Sequence, residues 1–428
     1  MNKPKRSVVT VLALTASLAF ALCGCGQNNT ATSEASSSAV GASSAQAAAT
    51  SGTKAADSVE STQSNEWFTE RDLQQTPDLS EAVSVSLEDG KTVTIEKEGV
   101  YLLSGTASNA QIVVDAEDGD KVQLVLDGVS VTNETIPCIY VKNADKVFVT
   151  ITDSENALTV SGAFTEDGET KTNAVIFSKD DLVLNGVGTL SINSSDNAIS
   201  SKDDLKITGG TYEITCSGTA LKAHEQIAVA DGTIHIASCN DGLHAENDED
   251  DTVGEIYIAG GTISVNAADD GLHATTTVTV DGGDLDLKAA EGIEATVVRI
   301  NDGTIRIEAS DDGINAAQKS NSLSILAEFN GGSVTIVMGQ GDTDGIDSNG
   351  DLIINGGTLD ITAQSPFDYD GTAQKNGGTI LVNGEETEEI TNQFGGGMPG
   401  GGMGGPQGTM GDGEMPGGDM GGFGGHGR

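Results

Sequence analysis

The chain has 428 residues, of which 57 are Gly and 7 Pro, with 4% aromatics and no long amphipathic helical pattern. Its formal charge of −44, from 65 acidic and 21 basic residues, repels nucleic acid and anionic lipid and excludes both as partners. So many carboxylates call for a counter-cation, and in an exported protein Ca²⁺ is the expected one.

The N-terminus reads as an export signal over residues 1–25. Lys3, Lys5 and Arg6 precede an apolar run from Val8 to Leu22, shorter than the roughly 20 residues of a spanning helix. Leu22-Cys23-Gly24-Cys25 resembles a bacterial lipobox. Cys25 is therefore expected to carry lipid and to hold the mature protein on the outer side of the cell membrane. Residues 26–66 are rich in Ser, Ala and Thr, bury too little to fold, and read as a flexible tether.

From Trp67 the composition changes, and a folded domain is expected over residues 67–393. Trp67-Phe68 and Arg71-Asp72-Leu73 read as a cap over its first coil. Short strands are predicted at Val83 to Leu87, Thr92 to Ile95, Val100 to Ser104, Gln111 to Val114, Val122 to Leu126, Ile139 to Val141 and Val147 to Ile151. Two phrases then recur. One is Asp-Gly-apolar: Asn240-Asp241-Gly242-Leu243-His244-Ala245, Asp269-Asp270-Gly271-Leu272-His273-Ala274, Glu291-Gly292-Ile293-Glu294-Ala295, Asp311-Asp312-Gly313-Ile314-Asn315-Ala316 and Asp344-Gly345-Ile346-Asp347-Ser348. The other is alternation around a Gly pair, as in Ile256, Ile258, Gly260-Gly261, Ile263, Val265.

The steps from Gly271 to Gly292 and from Gly292 to Gly313 are both 21 residues. Self-similarity at that period signals a solenoid, and period-2 alternation signals half-buried strands. The expected fold is all-β, a single-stranded right-handed parallel β-helix. Each coil is expected to hold two strands, with the Gly-Gly and Asp-Gly pairs supplying positive-φ corners. The Gly- and Met-rich stretch 394–428 has no alternation and reads as a disordered tail.

Stacking the coils would set Asp241, Asp270, Asp312 and Asp344 in a column about 4.8 Å apart. Asp269, Asp311, Asp347 and Glu294 would lie beside it. The insertion after Ala245 adds Glu246, Asn247, Asp248, Glu249, Asp250 and Asp251. Carboxylates so spaced can share a hard cation. The expected Ca²⁺ ligands are Asp241, Glu246, Asn247, Asp248, Asp250, Asp269, Asp270, Asp311, Asp312, Asp344 and Asp347. His244 and His273 share a column too, with His224 in a related unit. With no third nitrogen or thiolate to complete a tetrahedral site, they read as solvated residues on the outer side of a strand. No catalytic residue stands out, because no nucleophile elbow, phosphate loop or dinucleotide fingerprint occurs. Cys216 and Cys239 end strands of adjacent coils and are expected to stack as thiols, with a disulfide as the alternative.

Several stretches resemble the secreted calcium-binding, parallel β-helix carbohydrate-binding proteins of bacteria, which are similar in shape to pectate lyases. They are Phe68 to Leu73, Asp120 to Asn133, Ser201 to Thr211, Asp241 to Asp250, Gly345 to Leu352 and Phe367 to Gly371. Leu221-Lys222-Ala223-His224 stands where that family shows a Gly-Lys-Asp turn. The resemblance implies Ca²⁺ sites in the coils, binding of cellulose or pectic polysaccharide, and no established catalysis. The expected protein is thus a monomeric, lipid-anchored surface protein that binds polysaccharide. A polysaccharide lyase or hydrolase, and a surface spacer without glycan affinity, are the alternatives.

Overall fold

Runs such as Thr262–Ala267 (TISVNA) and Thr304–Ala309 (TIRIEA) place Ile263, Val265, Ile305 and Ile307 on one side and polar residues on the other. Strands of this kind cannot be stable alone, because each leaves one apolar row uncovered and two edges unpaired. The computed structural model resolves both needs by stacking. It describes residues 67–392 except 169 and 341–342, all within one compact unit. Cys25, the tether and the Gly-rich tail lie outside the described residues.

Among the described residues every regular element is a β-strand. The chain visits three ladders in turn and then begins again one level on. The first ladder holds the Asp-Gly phrase: Leu221–Ala223, Leu243–Ala245, the start of Asp270–Val280, the start of Glu291–Ile300, Asp312–Ala316, Asp344–Ser348 and Ser365–Tyr369. The second runs through Lys146–Ile151, Asp181–Gly186, Asp204–Ile207, Gln226–Val229 and Glu255–Ile258 to Asp351–Ile354. The third runs through Thr262–Ala267, Asp284–Ala289, Thr304–Ala309, Ser333–Met338 and Thr358–Thr362. Neighbours in each ladder are parallel and in register, so like stacks on like. Ile263, Leu285, Ile305, Val334, Leu359 and Ile380 form one such inward row. Each is buried, a gain of about 1.5–3 kcal/mol per side chain before entropy.

The fold is thus an all-β, parallel solenoid, but its coil differs from the expected one. The Asp-Gly phrase is itself a strand, giving three strands per coil where two were expected. Between the second and third ladders the corner glycines do adopt the left-handed region: φ is 91° at Gly261, 98° at Gly283 and 105° at Gly303. The glycine of the Asp-Gly phrase has a different reason. Gly242, Gly271, Gly292 and Gly313 are absent from the positive-φ positions. A Cβ built on Gly271 would lie 2.5 Å from the carbonyl oxygen of Gly292, and the same clash recurs at Gly242, Gly292 and Gly313. Close stacking of backbones excludes the side chain there.

The N-terminal segment does not cap the first coil. Trp67 to Gln75 lies outside the second ladder, across strands from Lys146–Ile151 to Glu255–Ile258. Arg71 covers the Phe148 ring at 4.4 Å, and Trp67 stacks on Tyr257 at 4.3 Å. Asp72, fully buried, pairs with Lys146 at 3.5 Å. Lys206 Nζ donates to the Trp67 carbonyl at 2.8 Å. At the other end, Thr379–Val382 folds back antiparallel onto Glu385–Thr387. Asn383 and Gly384 turn the chain with φ of 53° and 81°, as an Asn-Gly hairpin does, and this shields one exposed edge.

Candidate functional site

The first ladder carries two outward rows of polar side chains. One row is Thr219, Asp241, Asp270, Glu291, Asp312, Asp344 and Ser365; the other is Lys222, His244, His273, Glu294, Asn315, Asp347 and Asp368. Register fixes both, since His244 pairs with His273, His273 with Glu294, Glu294 with Asn315, Asn315 with Asp347 and Asp347 with Asp368. Asp241, Asp270, Asp312 and Asp344 therefore share a row, as the repeat implied, with Glu291 completing it between Asp270 and Asp312.

The rows divide into two chemically distinct halves. Toward the C-terminal end the donors are all oxygen. Asp344 donates its backbone N–H to Asp312 Oδ1 at 3.2 Å, and the Ser365 hydroxyl donates to Asp344. Burial, with repulsion from Asp311, Asp344 and Asp368, pushes Asp312 up to about 6. Burial and the charges of Asp312, Asp368, Asp344 and Asp370 push Asp347 up to about 7. Glu291 rises to about 7 through burial and its neighbours Glu294, Asp270 and Asp312. Asn315 donates from Nδ2 to Glu291 at 3.0 Å and to Glu294 at 3.4 Å. Its Oδ1 is buried without a donor. An orphaned amide oxygen among crowded carboxylates fits a hard cation such as Ca²⁺, which takes carboxylate and amide oxygens alike.

The other half carries nitrogen. The His244 and His273 rings stack at 4.3 Å, 8° from parallel. His273 Nδ1 lies 2.9 Å from Asp270 and 2.7 Å from Glu294. Burial opposes its charge, but the two carboxylates prevail and raise it to about 9. His244 Nε2 lies 3.0 Å from Glu246. Glu294 is held below the usual carboxylate range, burial notwithstanding, by His273 and by Lys319. His244 likewise holds Asp241 and Glu246 down against burial. The histidines were expected to be solvated, yet His273 is 7% exposed. The stacked His244 ring, Asp270 and Glu294 cover it, and two loops close over the residues that follow. Residues 246–254 and 317–325 meet where Asn321 donates to Asp251 at 2.8 and 3.0 Å. Together they bury Thr275, Thr276 and Thr296 on the intervening coils.

The expected ligands are therefore not one site. Glu246 joins the ladder, whereas Asn247 and Asp250 accept from backbone N–H groups of the insertion's own turns. Asp248 and Asp250 are exposed, as are Asp269 and Asp311 at the ladder's flank. Burial and the Asp270 and Asp241 charges raise Asp269. Glu291, Asn315, Lys319 and Asp368 belong to the arrangement and escaped the sequence reading. Glu291 carried a signal, standing where the other copies carry Asp. Lys319 carried none, since its loop returns to Glu294 only in the folded coil.

The family model described as "Carbohydrate-binding domain-containing protein" matches residues 89–343 and 292–393. A relative from Acetivibrio thermocellus, described in the same words, is 40% identical over 124 residues. That match covers 28% of this chain and 43% of the relative, so it spans under half of that protein's length. A solved gadolinium derivative of a polysaccharide lyase-like protein from C. thermocellum is 23% identical, covering 71% of this chain and 94% of that one, with a TM-score of 0.30.

Proposed function

We propose that this chain, which belongs to the family of carbohydrate-binding domain-containing proteins, binds a linear polysaccharide along the outer face of its first ladder, without catalysis. The observation that carries the reading is the unbroken pair of polar rows from Thr219 and Lys222 to Ser365 and Asp368, held in register by the parallel pairing. Spaced about 4.8 Å per coil, the half-buried members Asp241, His244, Asp312, Asn315, Asp347 and Asp368 offer a repeating ligand donors and acceptors, while Thr219, Asp270, His273 and Glu294 are buried. Aromatic platforms have little part in it. Trp67 and Tyr257 are stacked on each other, and Tyr140 is buried. Recognition is polar, which suits cellulose or pectic acid.

Ca²⁺ would be held by Asp312, Asp344, Asp347 and Asp368 with the Asn315 oxygen, and would neutralise the repulsion there. The coil winds right-handed as a single-stranded β-helix, the hand favoured in about 98% of parallel crossovers. Export, a lipid anchor on Cys25 and a monomeric state complete the proposal, and the tether would hold the binding face away from the membrane. A polysaccharide panel, with and without chelator, tests it. Retention on cellulose or polygalacturonate that falls when Ca²⁺ is removed is expected, with no release of unsaturated or reducing ends. Failure to retain any glycan in the Ca²⁺-loaded state would leave only a spacer role.

A further inference from the structure

We propose that His244, His273 and Glu246 form a binding site for a divalent transition-metal ion such as Zn²⁺, distinct in chemistry from the oxygen-only half of the ladder. One ligand atom from each of the three lies within 4.8 Å of the other two. The proposal does not depend on the glycan-binding reading.

Coordination requires a ring nitrogen free to donate. Asp270 and Glu294 both engage Nδ1 of His273, at 2.9 and 2.7 Å, which fixes one proton there; the cationic ring they favour must release its Nε2 proton to the incoming ion before that nitrogen can donate. Carboxylates behind a histidine are the usual outer support of such ligands, orienting the ring and raising its basicity. Glu294 is itself held by Lys319 at 2.5 Å. His244 Nε2 and Glu246 Oε2 already lie 3.0 Å apart, close to the edge of a tetrahedron built on Zn–N and Zn–O bonds of about 2.0–2.2 Å. His244 Nδ1, buried and without a hydrogen-bond partner, stands 3.5 Å from Asp241 Oδ2 and can turn its proton toward that carboxylate. Because the two rings are parallel, they must tilt toward each other to close on one ion. Two imidazoles and a carboxylate leave a fourth position for water or a ligand oxygen.

Imidazole donors favour Zn²⁺, Ni²⁺ or Cu²⁺ over Ca²⁺, which prefers oxygen. The ion would tie two consecutive coils to the loop at 246–254 through Glu246. The third donor comes from that insertion, so the stacked histidines gain in the fold the partner they lack in the sequence.

Zn²⁺ titration by calorimetry, on Ca²⁺-loaded chain without an affinity tag, tests this, with Co²⁺ absorption as a second readout. One saturable ion per chain is expected, persisting in excess Ca²⁺ and giving a tetrahedral Co²⁺ spectrum. His273→Ala should weaken binding by about 100-fold and Glu294→Gln, a positioning change, by about 10-fold. His235→Ala, at an exposed position of the third ladder, should leave it unchanged. Since His273→Ala strands Asp270 and Glu294, His244→Gln serves as the variant that keeps that charge pairing, and it too should weaken binding. Zn²⁺ uptake that is absent, that equals the wild type in His244→Gln, or that Ca²⁺ displaces would overturn the proposal.

Discussion

At the scale of single residues, glycine and aspartate set the limits of this fold. Gly292 has no conformational need to be glycine, but a side chain there would strike the Gly313 carbonyl and the Ile307 side chain. Gly292→Ala should therefore destabilise the domain by about 1–3 kcal/mol, the usual cost of overpacking. Gly119→Ala, where a Cβ meets nothing within 4 Å, should be near neutral; chemical denaturation of both variants checks the contrast. The raised carboxylates give a pH dependence of definite sign. Asp312 and Asp347, moved from 3.8 to about 6 and about 7, bind protons more tightly when folded. Their contribution is present below the unfolded value and is lost as pH rises through about 4 to 7. Metal-free protein should thus melt higher near pH 5 than near pH 8, a gap that Ca²⁺ or Asp347→Asn narrows. A flat profile over that window in chelator would refute the repulsion. The three described cysteines are free and buried, and burial pushes Cys138 and Cys216 up to about 12. All three should resist a thiol reagent in the native state and react on unfolding.

Single elements decide what the ladders leave open. The segment from Trp67 to Gln75 binds the second ladder through a buried ion pair, backbone hydrogen bonds and one aromatic stack. Gln75 alone donates to the Thr208 carbonyl at 2.9 Å and accepts from the Gly186 N–H at 2.8 Å. Lys146 keeps Asp181 at 3.5 Å when Asp72 is removed, so Asp72→Ala should destabilise the protein by about 1–3 kcal/mol. Because the chain has one Trp, its fluorescence reports the same event. Emission should shift to the red in Asp72→Ala below the global transition if the segment lifts first, and unchanged emission would show that it does not. The insertion at 246–254 and the loop at 317–325 act likewise, as roofs over coils that carry no loops of their own.

Across the whole solenoid, stability is a sum of coils and of the interfaces between them. Charge accumulates along the stack in the same way, because each coil repeats its acid at the same place. A cation that binds only the folded ladder raises stability by mass action. Chelation is therefore expected to lower the melting temperature by several degrees, most for unfolding that begins at the C-terminal coils where Asp312, Asp344, Asp347 and Asp368 gather. Hydrogen exchange resolved by coil, with and without Ca²⁺, reads this directly. Protection lost evenly along the chain would contradict it.

The sequence by itself determined the solenoid, two of the three strands of its coil and the acid column, since periodicity and register are the same information: a side chain repeated once per coil must stack on itself. The Asn383-Gly384 turn is a local signal that escaped the sequence reading. Three things awaited the tertiary structure. That the Asp-Gly phrase is a strand depended on how closely neighbouring backbones approach, which spacing along the chain does not encode. The docking of Trp67 to Gln75 depended on contacts with residues more than 100 positions away, such as Asn185 and Thr208. The burial of His273 between Asp270 and Glu294 came from the pairing of neighbouring coils, and the delivery of Glu246 and Lys319 came from two loops whose meeting point is set by the coils beneath them. Local pattern specifies what repeats; what departs from the repeat is placed by packing.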